Sequence, residues 1–227
     1  MSGLSLFLDT FFRLDLVERY WLDVVFSMIV TIKVAVAVIF TGLAVGFALA
    51  LIRSFGIRPV NVIIVIFSDV NRALPPLVLI LLAYFGLPSL GIGLSNITVL
   101  WLVLSCVLAA FSEEIFWAGI LSIRKGQWEA ARSTGLTYFQ ALAWVVLPQA
   151  LRLTVPSLTN RTIVIIKNTA LGTVIGVPEI LNVSSTAESF VGNMTPLTLG
   201  VIAFLILFVP ILALGRWIET RFKWTRA

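Results

Sequence analysis

RKGQWEAARSTGLTYFQALAWVVLP, residues 124–148, is a charged, amphipathic insert between long apolar runs, in a chain whose mean hydropathy is +1.06. Trp128, Ala131, Gly135, Leu136 and Phe139 fall at three- and four-residue steps, which predicts a short helix with one apolar side. Glu129 and Arg132 stand at i, i+3 and are spaced to pair on its surface. Gly135 can take a positive φ at little steric cost, so it is the predicted stop of that helix. Pro148 has no backbone donor to lose and suits the first turn of the helix that follows.

The composition around the insert excludes an ordinary soluble domain. Of 227 residues, 59% are hydrophobic and 12% charged, too few polar groups to cover a globular surface. A bilayer core of about 30 Å takes roughly 20 apolar helical residues per crossing, and the chain has room for about five. The lone Cys106 allows no internal disulfide or cysteine metal site, and the absence of His removes the commonest general base and metal ligand. Residues 1–23 lack the pattern of a cleavable signal peptide. Phe7, Leu8, Phe11, Phe12, Leu14 and Leu16 are spaced instead like an interfacial amphipathic helix.

The expected spans are 24–51, 60–85, 97–120, 151–177 and 197–218. In the first, Gly42 and Gly46 form a GxxxG pair, a packing signal. The second is interrupted by Ser68-Asp69-Val70-Asn71-Arg72 and then Pro75-Pro76, which predicts a kink. Polar groups at membrane depth pair with one another or line a wet path. The set here is Asp69, Asn71, Arg72, Ser112, Glu113, Glu114, Asn160, Arg161, Lys167, Asn168 and Thr169. Glu113 and Glu114 diverge by about 100° on a helix, so at most one faces a central path.

Lys and Arg lie almost wholly on one side of these spans. Arg53, Arg58, Arg124, Lys125, Arg132, Arg152, Arg216, Arg221, Lys223 and Arg226 share one face, and Arg13 and Arg19 the other. The positive-inside rule then puts the N-terminus outside, the C-terminus in the cytoplasm, and 124–148 in the cytoplasm.

Glu129-Ala130-Ala131, three residues, Gly135, nine residues and Val145-Val146-Leu147-Pro148 together resemble the EAA loop of ATP-binding-cassette (ABC) importer permeases. Further stretches narrow the likeness to the polar amino-acid permeases. They are NRALPPLVLILLAYFGLP (71–88), AAFSEEIFWAGILSI (109–123), KGQWEAARSTGL (125–136), LPQALRLTVPSLTN (147–160) and IIKNTALGTVIGV (165–177). The chain departs from the family at Ala73-Leu74, at Trp117 in place of Arg, and at Asn168 in place of Asp. The last two change the charge of the pathway.

The resemblance implies an all-α polytopic membrane protein of about five transmembrane helices with a cytoplasmic coupling-helix loop. Residues 1–23 form an extracytoplasmic or interfacial segment, 24–222 the transmembrane domain with its loop at 124–148, and 223–227 a cytoplasmic tail. It implies the translocation subunit of an amino-acid importer in a bacterial inner membrane, not an enzyme. Two ABC ATPase subunits, a second permease copy (identical or paralogous) and an extracytoplasmic solute-binding protein would complete it. ATP and Mg would be held by the ATPase, since no G-x-x-x-x-G-K-[ST] occurs here and no cofactor is expected in this chain. Coupling would use Glu129, Ala130, Ala131, Gly135, Leu147 and Pro148, with Glu129 meeting a basic residue of the ATPase and the alanines allowing close approach. Asn71, Arg72, Ser112, Glu114, Asn160, Lys167, Asn168 and Thr169 are the pathway candidates. The alternatives are an ABC permease for another small solute and an ion-coupled secondary carrier, although a carrier usually shows internal repeats.

Overall fold

A computed structural model describes residues 3–222. Met1, Ser2 and the expected tail at 223–227, with Lys223 and Arg226, lie outside the described residues. Every element among the described residues is helical. In chain order these are α1 (Gly3–Phe11), α2 (Leu14–Ser54), α3 (Arg58–Ala73), α4 (Pro76–Ser89), α5 (Asn96–Ser122), α6 (Lys125–Ser133) and α7 (Tyr138–Ala141). A π-helical stretch (Leu142–Val146) leads into α8 (Leu147–Lys167), then come a 3-10 stretch (Asn168–Ile175), α9 (Ile180–Val191) and α10 (Thr195–Phe222).

Four runs among the described residues are long and apolar enough to cross a membrane: Gly3–Ser54, Asn96–Ser122, Tyr138–Ile175 and Thr195–Arg221. The pair α3 and α4, bent by 105°, makes a fifth if it is one broken span. The break falls where the sequence predicts a kink. Leu74 is extended, as a residue before proline prefers, and Pro76 opens the new helix without needing a donor.

The fourth span starts earlier than expected. Helix begins at Tyr138, not near Leu151, and Pro148 lies inside the run instead of in its first turn. A proline inside an α-helix crowds the carbonyl four residues back. The π stretch just before it widens the turn, with Leu147 N donating to Leu142 O, and the helix passes through the proline.

The chain divides into two compact units, and the boundaries fall within α2, α5, α8 and α10 and between α3 and α4. The first comprises Met1–Val38, Pro76–Leu104 and Ile166–Leu212. Its core joins Val24, Ile180 and Ala203, with Met28, Leu199, Phe204 and Leu207 packed around them. Glu179 caps α9, its carboxylate accepting from Leu181 N (2.9 Å) and Asn182 N (2.7 Å), while Ile180 N donates to Thr31 Oγ1. α1 has no buried residue; its end is tied down by Met194 N on Thr10 O, Asn193 Nδ2 on Asp9 O and Arg13 N on Thr195 Oγ1.

The second unit comprises Ile39–Pro75, Ser105–Ile165 and Ala213–Ala227. The GxxxG pair packs as the sequence predicts. A Cβ on Gly42 would lie 2.7 Å from Leu108 Cβ, and one on Gly46 only 2.0 Å from Ser112 Oγ and 2.7 Å from Ala109 O. Beside this contact Thr41 and Ser105 share a hydrogen bond of 2.6 Å. In lipid, where apolar surface gains little by hiding from apolar tails, such close backbone approach holds helices together.

Candidate coupling loop and polar groups of the spans

Residues 124–148 fold as a helix, a left-handed turn and a second helix. α6 ends at Ser133, and Gly135 turns the chain at φ +87°. Thr137 then starts α7 with a capping box: its Oγ1 accepts from Gln140 N, and Gln140 Oε1 accepts from Thr137 N. The predicted Glu129–Arg132 pair does not form. Glu129 pairs instead with Lys125, one turn earlier, at 3.5 Å and largely in solvent, the orientation that does least for a helix.

The insert is fastened to the spans by its aromatic side. Trp128 stacks on Tyr138, their centroids 5.2 Å apart, and packs on a cluster of Ile120, Ile123, Leu142, Val146 and Ala150. Leu51 and Leu147 pack on the same cluster, which gathers side chains of α2, α5, α8 and the π-helical stretch. Tyr138 OH donates to Ser54 O (2.6 Å) and Asn61 Nδ2 to Arg53 O, satisfying carbonyls that the end of α2 leaves free. Phe55 and Phe139 add a ring contact at 4.9 Å.

The six expected coupling residues therefore divide. Glu129, Ala130, Gly135 and Pro148 are exposed. Ala131 is buried and Leu147 half-buried within the permease's own packing. Their place is to seat α6, and the outward surface belongs to Glu129 and Ala130.

Within the spans, the adjacent glutamates are separated as helical geometry requires. Glu113 is fully buried: Arg53 Nη1 donates to its Oε1 (2.8 Å) and Ser68 Oγ to its Oε2 (3.0 Å). Arg53 also lies over the Trp117 ring, 5.0 Å from its centroid. This brace joins α2, α3 and α5, and the sequence reading missed it because Arg53 counted only as a topology charge. Glu114 is half-exposed and bonded to Arg72, which has a longer contact of 3.8 Å with Asp69.

The other pathway candidates also divide. Ser112 is wholly buried, donating to Leu108 O and Gly42 O beneath Gly46, where it packs α5 on α2. Thr169 is likewise buried and donates to Ile166 O. Asn71 is half-buried and bonds its own helix at Phe67 O. Asn160 and Lys167 are exposed and Asn168 half-buried.

The sequence pattern of the family described as "Binding-protein-dependent transport system inner membrane component" matches residues 42–224. A probable glutamine ABC transporter permease protein of Bacillus subtilis (strain 168) is 36% identical over 156 residues, 69% of this chain and 72% of that one. An arginine transport system permease protein of the same organism is 30% identical over 199 residues, 87% of this chain and 91% of that one. A crystal structure of an amino acid ABC transporter with histidines superposes with a TM-score of 0.81 at 28% identity, over 89% of this chain and 95% of that chain.

Proposed function

We propose that this chain, which belongs to the family of inner-membrane components of binding-protein-dependent transport systems, carries an amino acid across the membrane. It is the permease subunit of an ABC importer and not an enzyme; ATP hydrolysis in these systems is the work of a separate subunit. The observation that carries the coupling role is the seating of α6. Its Trp128 packs on a cluster built from α5, α8 and the π-helical stretch, and its outer side presents Glu129 and Ala130 to whatever docks there. A push on such a helix moves span ends directly. The amino-acid substrate is supported by the relatives, one named for glutamine, one for arginine, and one solved as an amino acid transporter.

In this reading two ATPase subunits, binding ATP and Mg, drive two permease subunits between outward and inward openings, and a solute-binding protein delivers the amino acid from outside. Nucleotide shifts the equilibrium only by its differential affinity for the two states. The N-terminus is extracytoplasmic and the C-terminus cytoplasmic, in a bacterial inner membrane.

The test is reconstitution of the permease with its ATPase in vesicles containing ATP, with no ion gradient. Labelled amino acid should accumulate when the binding protein is added outside. Gly135→Val should stop both accumulation and ATPase co-purification, because valine strongly disfavours the φ of +87° found there. Accumulation driven by an ion gradient in the absence of ATP sinks the reading.

A further inference from the structure

Arg161 is a cation without an anion. It lies in α8, within an apolar span, with its guanidinium carbon 3.6 Å from the centroid of Phe111 on α5. Arg72 approaches the same ring at 5.6 Å. Both carboxylates of this cluster, Glu114 and Asp69, are engaged by Arg72. No carboxylate stands within salt-bridge distance of Arg161 among the described residues, and it makes no hydrogen bond among them. The cluster is short of an acceptor in a second place, since Arg72 Nε is buried and donates to nothing.

A guanidinium carries five donors and cannot discharge itself by losing a proton. The face of Phe111 supplies attraction and flatness to such a group but accepts none of its in-plane N–H bonds. Stacking leaves the edge of the fork free, and that edge fits a carboxylate through two parallel bonds. A charged group at membrane depth, unpartnered in its own chain, is costly enough to call for a partner that arrives from elsewhere.

We propose that Arg161, held flat on Phe111, receives a carboxylate of the transported solute, and that Arg72 is kept from competing for it by Glu114. The inference rests on the amino-acid import reading above and deepens it, by naming a specificity-determining residue that the sequence left among the generic polar groups. Every amino acid brings an α-carboxylate, and an acidic one brings a second; the chemistry at Arg161 is shared by both.

The experiment uses the purified permease–ATPase complex in nanodiscs without the binding protein, so that the latter's own selectivity does not intervene. Equilibrium binding of labelled L-glutamine, L-arginine and L-glutamate is measured for wild type, Arg161→Gln and Arg161→Lys. Saturable binding of at least one probe by wild type is expected, weakened at least tenfold by Arg161→Gln and only partly restored by Arg161→Lys, which keeps the charge but loses the planar fork. On wild type, the α-amide of the bound probe should fail to compete if the main-chain carboxylate is the one held. A loss seen only between L-glutamate and L-glutamine assigns the side-chain carboxylate.

Binding by Arg161→Gln at wild-type affinity overturns the proposal, as does equal competition by carboxylate and carboxylate-free analogues. The second result decides the matter even if Arg161→Gln fails to assemble with its ATPase. Absence of saturable binding in nanodiscs by a complex that imports the same probe in ATP-loaded vesicles with the binding protein outside also overturns it, while leaving the import reading intact. A wild-type complex that imports none of the probes in those vesicles defeats the import reading, and the proposal with it.

Discussion

At the scale of single residues, two buried carboxylates make opposite demands. Glu113 is held within a brace by Arg53 and Ser68, and its value lies in what its loss leaves behind. Removing one partner of a buried pair costs about 3–5 kcal/mol, because the other charge is stranded. Arg53→Ala strands a carboxylate with no exposure, whereas Glu113→Ala strands a cation that is one-fifth exposed and still stacked on Trp117. Arg53→Ala should therefore lower the melting temperature in detergent more than Glu113→Ala, and the double variant Arg53→Met/Glu113→Leu should recover part of the loss. Equal and additive losses would mean that the two residues are not coupled. Glu179 lies outside the spans, and burial pushes its carboxyl up to about 7 from an ordinary 4.5, against the lowering pull of two backbone N–H groups. Between those values the folded chain holds a proton that the unfolded chain has released. Stability then falls as pH rises from about 4.5 to about 7, and levels off above. Melting temperatures between pH 5 and 8 should follow that slope in wild type and lose most of it in Glu179→Gln; an identical slope in both would remove Glu179 as its source.

At the scale of elements, the contact between α2 and α5 depends on a missing side chain. A Cβ at Gly46 meets both the Ser112 hydroxyl and the Ala109 carbonyl, and backbone cannot swing aside as a side chain can. Gly46→Ala should cost about 1–3 kcal/mol by overpacking. Adding Ser112→Gly should restore only part of it, because the carbonyl remains 2.7 Å from the new atom. Thermal unfolding of the three purified variants checks this, and a complete rescue would show that the hydroxyl alone sets the spacing. This contact was legible in the sequence as GxxxG, and the broken second span as Pro75-Pro76, because both follow from the backbone of one residue type. Gly135 was legible for the same reason. Contacts set by rotamer and neighbour were not: the sequence offered Arg132 to Glu129 and the structure uses Lys125, it offered Ser112 to the pathway and the structure buries it. Pro148 was misjudged because a π stretch has no sequence signature comparable to a cap. Arg161 was visible as a charge but not as an unpaired one, since pairing is a property of what lies across the bundle.

At the scale of the whole molecule, what matters is which end of each span meets which solution. α2 has 41 residues, about 60 Å of helix against a hydrocarbon core of about 30 Å, so its ends reach well past the bilayer. The residues near those ends are unequal in charge. Arg53 and Arg58 follow the first span and Arg124, Lys125 and Arg132 the third, whereas the 86–96 connection has no charged residue and 178–196 carries only Glu179 and Glu188. Lys and Arg next to short loops resist translocation, and all of these loops are short. Five crossings with the N-terminus outside then put 124–148 and the C-terminus on the same, cytoplasmic side, where an ATPase can reach Glu129. Fusions of a cytoplasm-active reporter at Ala227 and within 124–148 should both be active, and one in 86–96 should be silent. Four crossings, with α3 and α4 dipping into the membrane and returning, would leave 86–96 on the same side as Arg53. Three spans separate 86–96 from Ala227, so both arrangements keep those two sites on opposite sides, and a fusion at Gly56, between α2 and α3, tells them apart. Beside an active fusion at Ala227 it is active for five crossings and silent for the re-entrant arrangement, which would remove the broken helix as a span. An inactive fusion within 124–148 would do more damage, since a coupling helix facing away from ATP could not couple.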